Sequence, residues 1–263
     1  MRDIFSKSIK FTALILVIVF FQTEIIGQQN YTAGKFFEES ENLIKQPTKW
    51  NAGDWAKFGV IALGTYSLMH LDEPIRDFML KDRRYTKSIP MIFGTYYGEG
   101  FTPILLGGAL MIHGSTKDNL KNTELGFEIL QAFFYSTAIT GIGKITFGRE
   151  RPGNNKGAFS FYPMSFKSNE FMSLGSGHTT VAFATSTVLA ERTDNIFLRG
   201  LCYVPAVITA FSRVYHDRHW TSDVFLGAAT GYFVAKFLTD LHKRQNTIPD
   251  PANANFINFV IPF

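Results

Sequence analysis

Apolar and polar positions follow each other along this chain with the spacing of helices. Residues 33–45 place apolar side chains on one helical face and glutamates on the other, which predicts an amphipathic lead-in helix that ends near Pro47. Longer apolar and small-residue stretches follow, broken by glycine, proline or charged turns. They predict further helical segments at residues 54–71, 72–82, 89–113, 119–144, 178–191, 195–215 and 221–244. The pattern therefore predicts an all-α helical bundle.

The first 27 residues have the layout of a secretory signal. A basic segment with Arg2, Lys7 and Lys10 precedes an apolar core at residues 11–21, and Gly27 ends the stretch. This apolar core is shorter than the roughly 20 residues that a membrane-spanning helix needs. We expect residues 1–27 to be removed on export, and an uncleaved amino-terminal anchor is the alternative.

No internal repeat or low-complexity linker divides the remaining chain, so we expect one large domain. The predicted parts are a lead-in segment at residues 28–53, a helical domain at residues 54–244 and a carboxy-terminal tail at residues 245–263. The apolar end of the tail is expected to pack on the bundle or to stay loose. Cys202 is the single cysteine of the chain, which excludes an internal disulfide.

Charge and hydropathy narrow the class of partner. The formal net charge is +4, but the basic residues form no stripe with interleaved aromatics, so phosphate substrates and anionic lipid surfaces fit better than nucleic acid. The mean hydropathy is +0.03, and the apolar runs 201–211 and 224–238 are shorter than the roughly 20 residues that cross a bilayer. A soluble or peripheral domain in the cell envelope and an integral membrane protein both stay open.

Three short stretches carry the candidate chemistry: residues 144–152, 176–178 and 212–223. The first and third supply cations that suit the transfer of a phosphoryl group. Lys144 and Arg151 lie in the first stretch, and Arg213 lies in the third. A phosphoryl group in transfer spreads negative charge over its equatorial oxygens, and fixed cations and amides stabilise that charge. An arginine fork can meet two oxygens at once, whereas lysine acts as a point charge. Taken singly, each of these side chains is also typical of a solvated surface.

The second stretch, with Ser176 and Gly177, precedes a run of small and apolar residues that predicts a helix. A helix beginning here directs its unpaired backbone N–H groups and its positive dipole end at an anion. Gly177 permits close approach of the backbone, and the Ser176 hydroxyl adds a donor. Taken alone, the pattern is also typical of an ordinary N-cap.

The third stretch also places His219 and Asp223 four residues apart, on one face of the helix that begins there. The carboxylate can accept the Nδ1 proton and leave Nε2 free to attack phosphorus. We therefore predict His219 as the nucleophile, Asp223 as its orienting partner, and His178 as the general acid that later acts as base. Taken alone, the spacing is also typical of a surface ion pair. Four nearby residues are predicted to surround or face the substrate: Arg149, His216, Asp217 and Arg218.

These stretches resemble the motifs of the type 2 phosphatidic acid phosphatase and vanadium haloperoxidase superfamily, which read Lys-x6-Arg-Pro, Pro-Ser-Gly-His and Ser-Arg-x5-His-x3-Asp. Residues 144–152, 175–178 and 212–223 match them in order and spacing, and the likeness covers residues 124–241. One departure is Gly175 in the place of the family's proline, which we expect to affect the stiffness of the loop and not its chemistry.

The resemblance implies a helical bundle of that superfamily's kind and a phosphatase that needs neither metal nor cofactor. It implies a phosphohistidine on His219, oriented by Asp223, with His178 as the acid. For phosphate binding it implies Lys144, Arg151, Ser176, Gly177 and Arg213. We expect an exported enzyme, periplasmic or membrane-associated, that acts on phosphate monoesters or diphosphates, lipid phosphates of the envelope included.

Two other functions stay open. In a vanadate-dependent haloperoxidase, vanadate would occupy the phosphate pocket with His219 as its ligand. In a non-catalytic phosphate- or lipid-binding module, cations and amides would be enough, so both histidines and the aspartate argue against it. The sequence does not indicate an oligomeric state.

Overall fold

The structure is a computed structural model that describes residues 31–164 and 169–247. In these residues the regular secondary structure is helical, apart from one isolated bridge between Arg149 and Phe161, which confirms the all-α prediction. The predicted signal segment and residues 248–263 of the predicted tail lie outside the described residues. The α-helices are α1 (Ala33–Ile44), α2 (Ala52–Met69), α3 (Asp72–Leu80), α4 (Ile89–Tyr97), α5 (Phe101–Thr116), α6 (Leu120–Phe147), α7 (Gly177–Glu191), α8 (Ile196–Cys202), α9 (Val204–Tyr215) and α10 (Thr221–Thr247).

Two of the predicted helical segments are each divided into two helices. Residues 89–113 break at Gly98 and Gly100, which separate α4 from α5. Residues 195–215 break at Tyr203, and Pro205 lies in the first turn of α9, where its missing N–H costs no helical hydrogen bond.

Helices α6, α7 and α10 pack against one another and form the core of the bundle. Helices α7 and α10 run parallel and approach closely, because a Cβ atom at Gly231 would lie 2.3 Å from the carbonyl oxygen of Thr180. The first turns of both helices therefore lie side by side, and the Ser176 N–H donates to the Asp223 carbonyl at 2.9 Å. The buried core residues are Ile129, Ala132, Tyr135, Ala184, Val188, Val234, Ala235 and Leu238.

Three helical segments are long and apolar enough to cross a membrane, judged by length and composition: Leu120–Phe147, Ile196–Tyr215 and Thr221–Gln245. Small and polar residues extend each of these segments beyond its apolar run, so length and composition favour the integral alternative. Large apolar side chains are also exposed on the outer helices, an arrangement that indicates association with a membrane. Examples are Trp55, Phe58, Leu63, Ile92, Phe93, Phe197, Leu201 and Val207.

Candidate active site

A cavity of about 600 Å³ lies where α4, α6, α7 and α9 meet, and all three motifs reach it. Ser176 and Asp223 lie behind its wall, each with no exposed surface. The other six residues predicted for the site line the cavity: Lys144, Arg151, Gly177, His178, Arg213 and His219. The remaining lining residues are Arg83, Thr86, Thr95, Glu99, His216 and Arg218.

The imidazole of His219 is nearly buried, and its two nitrogens have different surroundings. Nδ1 lies 3.0 Å from the carbonyl oxygen of Ser173, an atom that can only accept, so Nδ1 carries the proton. Nε2 is then unprotonated. Burial lowers the pKa of His219 to about 3, so the ring stays neutral at pH 7. A neutral ring with a free Nε2 is the form that can attack phosphorus.

The Asp223 carboxylate does not hold the His219 ring directly. Its Oδ2 lies 3.7 Å from Nδ1, too far for the hydrogen bond predicted from the sequence. The carboxylate instead accepts from Ser173 Oγ at 2.5 Å, from the Trp220 N–H at 3.0 Å and from Arg149 at 2.7 Å. Asp223 therefore orients the ring through Ser173, whose carbonyl accepts the Nδ1 proton.

Arg149, predicted to surround or face the substrate, is fully buried behind the cavity. Its guanidinium donates to Asp223 Oδ1 at 2.7 Å, to Asp72 Oδ2 at 2.8 Å and to the carbonyl of Ala158. Asp72 also accepts the Ser222 N–H at 2.9 Å. These contacts join α3, the loop after α6 and the start of α10, and so hold the segment that carries His219. Sequence reasoning missed Asp72 because the motifs contain no residue before position 144.

Ser176 is the N-cap of α7 and not a residue of the cavity wall. Its Oγ accepts from the backbone N–H of Thr179 at 3.4 Å and from the Thr179 hydroxyl at 3.0 Å. Both bonds use the lone pairs of Oγ, so capping does not engage the predicted O–H donor, but the side chain lies behind the wall with no exposed surface. Gly177 and His178 form this part of the wall, where an anion would meet the first N–H groups of α7.

Gly175 has a φ of +76°. Proline is locked near a φ of about −65°, so the family's proline could not adopt this backbone conformation. The glycine therefore changes the path of the chain before α7, and the expectation that it alters stiffness alone is wrong.

A residue outside the three motifs, Glu99, contacts the predicted general acid. Glu99 Oε1 lies 3.0 Å from His178 Nε2, and this hydrogen bond lowers the pKa of Glu99. A carboxylate can only accept here, so Nε2 of His178 is the donor and Nδ1 remains for a substrate. Glu99 is the only charged residue among residues 89–112, and this isolation in an apolar stretch was the available signal.

Two of the predicted cations, Lys144 and Arg213, reach the cavity without a carboxylate at ion-pair distance among the residues that the structure describes. The Lys144 ammonium donates to the Met172 carbonyl at 2.6 Å, and Arg213 donates to neighbouring hydroxyl groups. Among the described residues, neither Lys144 nor Arg213 forms an ion pair with a carboxylate. Arg151 donates to the Arg218 carbonyl at 3.2 Å, and burial lowers its pKa. Lys144 and Arg213, held in this way, are available to an anionic ligand.

A second cluster of titratable groups lies near the start of α6 and the end of α10, at the ends of these helices that do not reach the cavity. Ligand atoms of Glu124, Glu128 and His242 lie within 4.8 Å of one another, close enough for a metal ion. Arg192 donates to Glu124 at 2.5 Å and to Glu128 at 2.7 Å, and His242 Nδ1 lies 2.9 Å from Glu128. The carboxylates thus already have cationic partners, and the cluster is an ion-paired network.

Residues 126–247 match the family model described as the PAP2 superfamily. A curated relative, the lipid A 1-phosphatase of Porphyromonas gingivalis, is 36% identical over 112 residues, which are 40% of this chain and 22% of the relative. The chain thus spans about a fifth of the length of that relative.

The fold is similar to the crystal structure of the first transmembrane PAP2 type phosphatidylglycerolphosphate phosphatase from Bacillus subtilis, with a TM-score of 0.50 and 20% identity. The similarity covers 70% of this chain and 94% of the other. At this identity, it supports the shared helical fold alone.

Proposed function

We propose that this chain, which carries a PAP2 superfamily domain at residues 126–247, is a phosphatase that hydrolyses lipid phosphates without a metal ion. The observation that carries the proposal is the His219 imidazole, with Nδ1 held by a carbonyl and Nε2 free, on the wall of a cationic cavity. A neutral nucleophile beside fixed cations suits attack on a phosphate ester.

In the first step, the lone pair of His219 Nε2 forms a bond to phosphorus while the bond between phosphorus and the ester oxygen breaks. The electron pair of that bond goes to the leaving oxygen, which takes a proton from Nδ1 of His178. Lys144, Arg151 and Arg213, with the first amides of α7, stabilise the charge on the equatorial oxygens. The products are a phosphohistidine and a free alcohol.

In the second step, water attacks the phosphorus and His178, now a base, takes a proton from it. The bond between phosphorus and Nε2 breaks, and its electron pair returns to His219. Inorganic phosphate leaves, and one water has been consumed. While the ring is phosphorylated it is cationic, and the Asp223 carboxylate at 3.7 Å from Nδ1 stabilises that charge.

Glu99 supports the acid step as a positioning residue. Its carboxylate accepts the Nε2 proton of His178, which aims Nδ1 at the leaving oxygen. The Glu99 carboxylate, at 3.0 Å, thus holds one ring nitrogen of His178 and leaves the other for the substrate, as the Ser173 carbonyl does for His219.

Three observations support a lipid substrate. Thr95 of α4 lines the cavity, while Ile92, Phe93 and Tyr96 of the same helix are exposed, so a phosphate could enter the cavity with its lipid tail still in the membrane. Three segments are long and apolar enough to span that membrane. The matched relative carries the name lipid A 1-phosphatase. Export, with the site on the outer side of the membrane, is part of the proposal and is supported by the signal-like amino terminus.

The test is a turnover panel with the full chain in detergent and excess chelator. The substrates are phosphatidic acid, an isoprenyl diphosphate, lipid A and a soluble phosphate ester. We expect turnover of lipid substrates in chelator and inhibition by vanadate, which mimics the five-coordinate transition state. Activity that needs an added divalent ion would contradict the metal-free mechanism. Activity on the soluble ester alone would contradict the lipid assignment, and saturable phosphate binding without turnover would indicate a binding module.

A further inference from the structure

Three charged side chains form a buried triad behind the cavity: Asp72, Arg149 and Asp223. None of the three side chains has exposed surface. The Arg149 guanidinium lies between the two carboxylates, with Nη2 2.8 Å from Asp72 Oδ2 and Nη1 2.7 Å from Asp223 Oδ1. One guanidinium can neutralise one carboxylate, so the second carboxylate leaves the triad with a net charge of −1.

The partners of Asp72 hold it in its ionised form. Its Oδ1 accepts the backbone N–H of Ser222 at 2.9 Å, and its Oδ2 accepts from Arg149, and both of these groups can only donate. The Ser222 hydroxyl also donates to Oδ2. Burial raises the pKa of the Asp72 carboxyl, and the hydrogen bonds from Ser222 and Arg149 oppose that rise. Three donors thus meet the two oxygens, which is the bonding pattern of a carboxylate.

Aromatic rings separate the triad from water. The guanidinium carbon of Arg149 lies 5.6 Å from the centroid of the Phe161 ring and 5.6 Å from that of the buried Trp220 ring. Water screens charges strongly, whereas charges enclosed by protein interact over longer distances. The charge of the triad therefore acts on the neighbouring His219 ring, whose Nδ1 lies 3.7 Å from Asp223 Oδ2.

The His219 ring changes charge during the proposed reaction. In the resting protein the ring is neutral, so the extra negative charge of the triad has no cation to stabilise and is costly to bury. When Nε2 forms its bond to phosphorus, the ring becomes cationic, because Nδ1 keeps its proton against the Ser173 carbonyl. The ring and the triad then have opposite charges. The triad thus favours the phosphorylated state over the resting one, which lowers the barrier between them.

We propose that Asp72 is a positioning residue for phosphoryl transfer: because it shares the Arg149 guanidinium, the charge of Asp223 stays available to the His219 ring. The proposal rests on the proposed function and adds a residue that lies outside the three motifs. If Asp223 were the sole carboxylate on Arg149, their charges would cancel, and the phosphorylated ring would face a neutral pair. Asp72 does not line the cavity, so it acts through Arg149 and Asp223 and not on the substrate.

The first test separates chemistry from anion binding. Asp72→Asn removes the charge and keeps the size of the side chain. In the full chain in detergent it should lower kcat/KM for a lipid phosphate by about 10- to 100-fold. The inhibition constant of inorganic phosphate should weaken by less than about twofold, because binding of that anion does not require a cationic ring. Losses of equal size in both quantities would indicate a damaged cavity and overturn the proposal.

Asp77→Asn is the matched control, because it makes the same replacement on the exposed side of α3 and should leave kcat/KM unchanged. Absence of turnover by the unaltered chain would contradict the proposed function and, with it, the part of Asp72. Turnover by the unaltered chain that Asp72→Asn leaves unchanged would overturn the part of Asp72 alone.

A second test restores the charge without restoring the side chain. Asp72→Asn combined with Arg149→Gln removes one negative and one positive charge, so the triad again has a net charge of −1. A role through charge predicts that kcat/KM of the double variant exceeds that of Asp72→Asn by at least about tenfold. A structural role predicts a further fall, because a second buried group loses its hydrogen bonds. A double variant no faster than Asp72→Asn would overturn the proposal.

Ser222→Ala is the control for packing, since it leaves every charge in place. The Ser222 hydroxyl accepts from Arg149 at 2.7 Å and donates to Asp72, so the variant removes two hydrogen bonds of the same cluster. We expect lower stability and a fall in kcat/KM of less than about threefold. A fall as large as that of Asp72→Asn would assign the effect to geometry and overturn the role of the charge.

A measurement on the unaltered full chain does not depend on how the variants fold. With histidine labelled with ¹⁵N and vanadate bound in place of the phosphoryl group, nuclear magnetic resonance reports whether Nδ1 of His219 carries a proton. We expect this proton to be retained between about pH 6 and about pH 9, because the triad stabilises the cationic ring. Loss of the proton within this range would leave no ring charge for the triad to stabilise, and the proposal would fail.

Discussion

The charged groups at the two ends of the packed helices α6 and α10 differ in how they are paired. At one end His242 lies between two buried carboxylates, with Nδ1 2.9 Å from Glu128 and Nε2 2.9 Å from Glu39. At the other end, among the residues that the structure describes, Lys144 and Arg213 line a cavity without a carboxylate at ion-pair distance. The same helices thus carry a closed ionic network and an open cationic site.

This difference distinguishes structural charges from functional ones. A buried charge is costly unless it is paired, and in the network the pairing lies within the protein, where Glu39 attaches α1 to the bundle. At the cavity Lys144 and Arg213 can pair with an anionic ligand instead, and this pairing strengthens the binding of that ligand. Replacements should therefore reduce stability at the network and turnover at the cavity.

The largest effect is expected for His219→Ala. Loss of the proposed nucleophile should lower kcat by about 10⁴-fold or more. Steady-state kinetics on a lipid phosphate gives the value. His113→Ala is the control, because His113 is exposed and far from the motifs in sequence. Full activity of His219→Ala would remove the mechanism.

The next effect concerns the network. Glu39→Ala leaves His242 with one carboxylate fewer and should reduce the free energy of unfolding by about 3 kcal/mol. The activity of the folded protein should change little, because the network lies at the other end of α10. Denaturant unfolding in detergent measures the loss. Glu38→Ala is the matched control on the exposed side of α1, and an equal loss in both variants would refute the assignment of Glu39 to a structural network.

A smaller effect follows from the pKa of His219, which burial lowers to about 3. The unfolded chain takes up a proton below pH about 6.5, whereas the folded chain does not, so this group reduces stability as the pH falls from 6.5 towards 3. Between pH 7 and pH 5 the unaltered protein should lose about 2 kcal/mol more stability than His219→Gln. Unfolding curves at both pH values test this, and parallel losses would show that the ring is not buried as described.

The smallest effect is expected for Glu99→Gln. Without the carboxylate, Nδ1 of His178 is no longer held towards the leaving oxygen, so protonation of that oxygen is less efficient. The kcat for an alkyl phosphate should therefore fall by about tenfold. For 4-nitrophenyl phosphate, whose leaving group needs no proton, kcat should fall by less than about twofold. Comparing the two substrates separates an effect on the acid from a general loss of structure. An equal fall for both would assign Glu99 a structural part.

The motifs predicted much of the site, because the chemistry requires those residue types at fixed spacing. Lys144, Arg151, Arg213 and the two histidines proposed as catalytic were predicted in this way, and all of them line one cavity. The helical period also predicted most helix bounds. The break at Tyr203 was not predicted, because the apolar pattern continues through it.

Other features depend on distances that no local pattern contains. Ser173 holds His219 through a backbone carbonyl, an atom that every residue carries. Glu39 and His242 are 203 positions apart, and Glu39 falls among glutamates predicted to face away from the apolar side of the lead-in helix. Sequence spacing therefore identifies reacting groups better than it identifies the groups that position them.

The central claim is that Nε2 of His219 takes the phosphoryl group, and trapping the intermediate tests it most directly. The full chain is mixed with a lipid substrate labelled in its terminal phosphate, quenched in alkali within milliseconds, and the label is mapped by mass spectrometry. We expect an alkali-stable, acid-labile phosphate on His219. Turnover without any protein-bound label, or label on another side chain such as His216, would contradict the claim.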